Sequence, residues 1–314
     1  MAIGSELIEA MRRRRSLSLM TFNLLAPCYF RHGGRLESDY STSFLARAQA
    51  AISAIKREKC DVICLQEFWF DHDYQCAFRQ AFQRTHQIHT VKRPGDKQDG
   101  LAIFVDKSKL EVHNVESVDL VEEAGDRVAL LLHVATKWNR KIVPLSQRSL
   151  LIVNSHLTFP HSDMYTSLRL NEINRVLLAM RKLVTNHKFY SIFAHLHGRE
   201  ARITHCNHNN SEVSVDFIFS NRIKIGQEIK GDGIVRDNSI LHLQPVDCHL
   251  VPRQLPDVAR LKRPQFGHDW HSVQSPTLLR EERDLVDYWR MVSDHRPLVA
   301  KFDMTERFKE TSRN

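Results

Sequence analysis

The chain has 314 residues, a formal net charge of +8 and six cysteines. That length can bury a substantial core without disulfides, and the cysteines show neither a CxxC pair nor a framework spacing, which excludes a disulfide-stapled mini-scaffold. No apolar run approaches the ~18 residues of a membrane span, and no h-region follows the opening Met-Ala-Ile-Gly, so neither a spanning helix nor a secretory leader is expected.

In chain order, residues 1–15 read as a basic extension ending in the Arg12–Arg15 run. Residues 16–304 follow as a single domain, and 305–314 as a tail. Short runs rich in Val, Ile, Leu and Phe predict strands at Leu17–Leu25, Val62–Glu67, Leu101–Val105, Val128–Val134, Leu150–Leu157, Val213–Ser220 and Pro297–Phe302. Helical periodicity lies between them. Phe44–Glu58 sets Phe44, Ala48, Ala51, Ile52 and Ile55 on one face, and Leu168–Val184 does the same with Leu168, Ile173, Leu177 and Met180, opening from Ser162 or Ser167. Residues 223–290 carry scattered prolines and read as the least regular part, a long substrate-facing insertion. Such mixing of strands and helices predicts a layered α/β protein. Calcium-loop, P-loop and dinucleotide-binding fingerprints are absent.

Polar groups punctuate the ends of these strands. Thr21-Phe22-Asn23, Gln66-Glu67, Asn154-Ser155-His156, Asp216 within Val215-Asp216-Phe217-Ile218, and Ser293-Asp294-His295 appear in that order. Singly, each has an ordinary structural use: Asn23 and Asp216 as caps, Glu67 as an ion-pair partner, His156 and His295 as satisfied interior histidines. Five together suggest a site built on a rigid sheet edge.

This ordered set resembles the endonuclease/exonuclease/phosphatase family from about Leu17 to Phe302. The stretches Leu-Met-Thr-Phe-Asn-Leu-Leu-Ala-Pro, Val-Ile-Cys-Leu-Gln-Glu and Asp-Gly-Leu-Ala-Ile-Phe are most similar to its deadenylase/nocturnin branch. The resemblance implies a DNase I-like fold, α/β (α+β by some schemes): a four-layer α/β/β/α sandwich of two packed mixed sheets. It also implies a metal-dependent phosphodiesterase, with Glu67 as principal Mg²⁺ ligand (Mn²⁺ being the alternative ion) supported by Asn23. His295 would serve acid/base chemistry oriented by Asp216, Asp294 would position metal or water, and His156 would hydrogen-bond the phosphate. RNA or another phosphodiester is the implied partner, in keeping with the positive charge. A nuclease or deadenylase-like 3'-5' exoribonuclease is the first expectation. The alternatives are a relative that binds phosphate ligands without turnover, and a sphingomyelinase-like or nucleotide phosphodiesterase. Apolar settings for the cysteines suggest reduced thiols and an intracellular place, cytoplasmic or nuclear.

One family motif has no counterpart. Gly-Asp-x-Asn, expected between the His156 and Asp216 strands, is absent, and the best local match is Phe189–Gly198, read as a strand ending in Ala-His-x-His-Gly. The chain either lacks one strand-helix segment or has altered chemistry, with His195 and His197 standing in for the carboxylate. His187, His205, Cys206 and His208 enrich the same region without a recognised zinc spacing.

Overall fold

The computed structural model describes residues 16–120, 126–138, 140–141, 144–159, 162–181, 189–206, 211–221, 241–254 and 280–306. The proposed N-terminal extension and most of the tail lie outside this set, as do His187 and His208.

A six-stranded sheet runs in the order β14-β15-β1-β4-β6-β5, where β1 is Ser16–Asn23, β4 Val62–Trp69, β5 His86–Lys92, β6 Asp99–Asp106, β14 Leu241–Leu250 and β15 Leu298–Glu306. Only the β1–β4 pair is parallel. A second, antiparallel sheet comprises β7 (Leu110–Asp119), β8 (Val128–Thr136) and β9 (Ser149–Ser155).

Period-2 alternation sorts the side chains into layers. On β4, Ile63 and Leu65 pack with Phe44, Ala48 and Ile52 of α1 (Ser41–Glu58) and with Tyr74, Phe78 and Phe82 of α2 (His72–Phe82). Val62 and Cys64 point the other way. They join Leu130, Leu132, Val134 and Ile152 in the core between the sheets. The far face of β8, Ala129 and Leu131, is covered by Val176 and Met180 of a long helix, Asp163–Met180. The result is the α/β/β/α stack expected from the sequence. Ser162 caps that long helix through its Oγ, which accepts from the Tyr165 amide.

One amide stitches the two sheets. Buried Asn154 donates to Leu65 O (2.9 Å) and Ala102 O (3.1 Å) of the large sheet, and its Oδ1 accepts from Gln66 Nε2 at 2.7 Å. Isolating any of these groups from a partner costs about 1–3 kcal/mol, so the register between sheets is tightly fixed here.

Several expectations need correction. Val213–Ser220 is not a strand. Only Glu212–Val213 and Phe219–Asn221 are, and the backbone between them is irregular because Asp216 is held by side-chain bonds rather than a ladder. The segment Phe189–Gly198 is extended only over Phe189–Ser191, where it pairs with Phe219–Asn221. Ser191 then caps a helix at Ile192–His197 by accepting from Ala194 N. The supposedly irregular 223–290 region contains β14 and α6, which we number after α3 (Leu145–Arg148), α4 (Asp163–Met180) and α5 (Ile192–His197); α6 is Arg280–Trp289. Its Trp289 is buried against Phe22. Residues 255–279 of that region lie outside the described set. No described helix is long and apolar enough to cross a membrane.

All six cysteines are free, and Cys60, Cys64, Cys206 and Cys248 are buried. Burial pushes the Cys64 thiol up to about 12, so it is an inert packing residue.

Candidate active site

Glu67 owes its position to a break in β4. In the ladder with β6, Gln66 pairs with Leu101 and Phe68 with Gly100, so Glu67 is an extra, unpaired residue. Its φ is +52°, a left-handed conformation that costs a non-glycine residue roughly 1–2 kcal/mol. The bulge resets the alternation. Phe68 takes the face that the next residue in phase would have filled, and the carboxylate turns out of the apolar layer toward the strand ends. Gly100, which pairs with Phe68, lets β5 approach on its other side, since a Cβ there would lie 2.0 Å from Val91 O.

Around that carboxylate the predicted residues converge. Asn23 Nδ2 donates to Glu67 Oε1 (2.9 Å), and the Ala26 amide donates to Oε2 (3.0 Å). Asn23 Oδ1 is itself taken by the Leu25 amide, so Asn23 orients Glu67 through its amide nitrogen. The same nitrogen is 3.3 Å from His295 Nε2, while His295 Nδ1 meets Asp216 Oδ2 at 2.8 Å. Asp294 Oδ1 is 3.9 Å from His295 Nε2, and His156 Nε2 is 4.0 Å from Glu67 Oε1. Thus Asn23, Glu67, His156, Asp216, Asp294 and His295 form one cluster. His195 and His197 do not join it: His197 Nε2 bonds the Cys248 carbonyl at 2.7 Å, and the His195 ring packs on Tyr190. The idea that they replace the missing carboxylate is therefore not supported by their placement.

Charge settles the roles these groups can play. Burial would lower His295, but the Asp216 carboxylate, its hydrogen bond, and the Asp294 and Glu67 charges outweigh it and lift the pKa to about 9. His156 goes the other way, held well below the ordinary value by burial and then by Arg127, so it is a neutral imidazole. Arg127 Nη1 donates to His156 Nδ1 at 3.4 Å, which leaves the proton on Nε2. Burial pushes the Glu67 carboxyl up, the Asn23 bond pulls it back, and the Asp294 charge adds to the rise. A half-buried carboxylate whose ionisation is opposed by burial and by a second carboxylate nearby fits a divalent cation, which would relieve that cost.

A pH dependence of stability follows from His295. Its folded pKa exceeds the ordinary 6.5, so its contribution is fully present below about pH 6.5 and is lost as the pH rises through about 9. That interval corresponds to about 3 kcal/mol. Urea unfolding of metal-free protein at pH 6 and pH 9.5 should show the loss, and His295→Gln should flatten it. Equal slopes in both proteins would contradict the assignment.

Sequence reasoning missed Thr204, Arg47 and Arg127, and met His205 only as one histidine of a His- and Cys-rich stretch. Thr204 Oγ1 accepts from the Val215 and Asp216 amides, at 2.9 and 3.0 Å, and so places the carboxylate that faces His295. His205 stacks on His295 with ring centroids 4.2 Å apart. Buried Arg47 bonds both oxygens of Glu37 and the carbonyls of Leu24, Leu25 and Val292. Only an isolated arginine among apolar positions of an amphipathic helix signalled it. The other three sit in segments without periodicity.

A family model described as "Endonuclease/Exonuclease/phosphatase family" matches residues 20–189. The match stops where the Gly-Asp-x-Asn segment would be expected. An uncharacterized calcium-binding protein of Arabidopsis thaliana is 33% identical over 191 residues, covering 56% of this chain and 38% of its own. The chain spans about two fifths of the length of the curated relatives it matches. Among solved structures, ANGEL2, a 2',3'-cyclic phosphatase, in complex with adenosine-2',3'-vanadate aligns over 91% of this chain and 95% of its own, with TM-score 0.55 and 18% identity. The human Nocturnin catalytic domain with bound sulfate aligns over 93% and 94%, with TM-score 0.54 and 15% identity. At these identities the two structures speak for the fold.

Proposed function

The chain belongs to the endonuclease/exonuclease/phosphatase family, and from that premise we propose that it is a divalent-cation-dependent phosphodiesterase acting on RNA, in the manner of a deadenylase-like exoribonuclease. The observation that carries this reading is the bulged Glu67, held by Asn23, opposite the Asp216–His295 pair. A rigid carboxylate facing a charged, carboxylate-oriented imidazole suits an anionic phosphate whose ester oxygen must leave. Glu67, with Asp294 nearby, would hold Mg²⁺ or Mn²⁺, and such an ion supplies Lewis-acid neutralisation of the phosphate.

The chain's own groups would do the rest. His295, positively charged near neutral pH, would hydrogen-bond the phosphate and deliver a proton to the departing oxygen. His156 would donate its Nε2–H to a phosphate oxygen without adding charge. Asp294, its carboxyl held low by His205 and His295 against the opposing effect of burial, would position the attacking water. ANGEL2, a 2',3'-cyclic phosphatase solved with adenosine-2',3'-vanadate, adds 2',3'-cyclic phosphates to the substrates to be tested.

A second reading, binding without turnover, is favoured by one observation. Neither histidine of the Ala194–Gly198 stretch reaches the cluster, so no described residue of that stretch stands in for the motif's Asp or Asn. Purified protein should be assayed with Mg²⁺ on poly(A), mixed-sequence RNA, single-stranded DNA, cyclic-phosphate-ended RNA and nucleotide phosphodiesters. Hydrolysis of RNA, abolished by EDTA and restored by Mg²⁺, is expected. Salt-sensitive RNA binding by folded protein with no turnover on any substrate would sink the enzymatic reading in favour of the second.

A further inference from the structure

Arg127 stands behind His156, and the proposed hydrolysis makes no use of its charge. The two residues extend from neighbouring strands, just beyond the Ala129–Ser155 pair of β8 and β9. The Arg127 carbonyl accepts from the Leu120 amide at 2.9 Å, which fixes the backbone from which the guanidinium reaches. Its Nη1 meets His156 Nδ1 at 3.4 Å, while the ring's other nitrogen, Nε2, lies 4.0 Å from Glu67 Oε1. A phosphate that takes the Nε2–H and an ion at Glu67 would therefore have the imidazole between it and Arg127.

We infer that Arg127 binds a second phosphate of the substrate, adjoining the one that is cleaved, so that a polyanion is preferred over an isolated phosphate ester. Three observations carry this. First, the guanidinium is short of negative charge. Among the described residues its one ion pair is with Asp126, at a long 3.8 Å, and that carboxylate is closer to Arg93 Nη2 (2.8 Å) and Lys97 Nζ (3.1 Å). One carboxylate serves three cations, and Arg127 has the smallest share of it. Second, the group is open to a ligand. Its side chain keeps 18% of its surface exposed, and of five N–H donors it commits one to a hydrogen bond among the described residues. Third, burial and then the Arg93 charge work against the Arg127 cation and pull its pKa down, a cost that an anion alongside would relieve. The planar fork of arginine suits phosphate oxygens in particular.

The adjoining-phosphate assignment rests on the proposed function; anion binding at Arg127 does not.

Binding of a fluorescein-labelled hexamer of riboadenylate should be followed by anisotropy against KCl concentration, in EDTA so that no turnover occurs. Each phosphate neutralised on a single strand steepens the plot of log K against log [salt] by ~0.7. Arg127→Gln should therefore flatten the slope by about that amount, and Arg127→Lys should keep it. His156→Gln, which removes the imidazole and no arginine charge, should leave the slope as it is. Arg127→Met replaces the glutamine variant if that one does not fold. An unchanged slope in Arg127→Gln, an equal flattening in His156→Gln, or no RNA binding by the unmodified chain would each overturn the site. These readouts stand whether or not RNA is hydrolysed, so loss of slope beside absent turnover would sink the enzymatic reading and keep the anion site. If hydrolysis is found, the dinucleotide ApA, with its single phosphate, should be compared with pApA and ApAp. In the unmodified chain one of the two longer anions should exceed ApA by ~10–100-fold in kcat/KM, mostly through KM, as a charge-assisted hydrogen bond to phosphate implies. In Arg127→Gln that advantage should shrink to within threefold. Because the comparison is a ratio within one variant, damage to His156 common to all three substrates cancels. An advantage of equal size in Arg127→Gln, or none in the unmodified chain, would overturn the adjoining-phosphate assignment.

Discussion

Glu67→Gln is expected to lower Mg²⁺-supported hydrolysis by at least ~10³-fold while leaving the fold intact. The substitution keeps the side chain's length, the hydrogen bond from the Ala26 amide and the bulged backbone; it removes the charge and, because the new NH2 cannot accept, the bond from Asn23 Nδ2. A cation neutralising a scissile phosphate contributes several kcal/mol, and each 1.36 kcal/mol is tenfold in rate. Stability should change little, because relief of a carboxylate disfavoured by burial and by Asp294 is offset by loss of the Asn23 bond. Steady-state kinetics beside thermal unfolding separates the two effects. A variant within tenfold of the unmodified chain would remove Glu67 from the proposed chemistry.

Arg47→Met should destabilise the protein by about 3–5 kcal/mol, the cost of stripping one partner from a buried ion pair. Both partners are nearly closed to solvent, at 8% and 6% side-chain exposure, so solvent screening does not discount that figure. Met fills similar volume, which leaves Glu37 as an unpaired buried charge and the Leu24, Leu25 and Val292 carbonyls without their donor. Those carbonyls belong to the segment after Asn23 and the segment before Ser293-Asp294-His295. Activity should therefore fall beyond what the unfolded fraction explains. Urea denaturation gives the stability loss, and turnover measured where the variant is fully folded gives the rest. A loss below 1 kcal/mol would mean that the clamp is not what holds these loops.

Much of the architecture was legible in the sequence because it depends on alternation that burial enforces. Ile63 and Leu65 against Val62 and Cys64 can be read without coordinates, and the sandwich follows. The site's membership was legible for a different reason: Asn23, Glu67, Asp294 and His295 border apolar strands whose ends are punctuated by polar residues. What stayed hidden was everything held by side-chain-to-backbone bonds. Asp216 looked like a strand residue because its neighbours are β-branched and aromatic, yet Thr204 Oγ1 fixes it in irregular chain. His195 and His197 seemed eligible because imidazoles near a gap invite substitution, but a serine cap turned their segment into a helix. The strand β14 was obscured by Pro245, which coincides with a shift in its pairing to β15. His205 stood out only as one imidazole in a stretch rich in His and Cys without a recognised spacing.

The amide of Asn154 carries a lesson about descent. Asn154 locks one sheet to the other, Gln66 anchors it, and Ser293 Oγ donates to the Asn23 carbonyl while accepting from the His295 amide. Three letters of the family signature thus have work in the fold that does not depend on turnover. Their presence therefore speaks for the fold and carries no information about turnover. On the proposed function, the informative positions for activity are instead Glu67, Asp216 and His295.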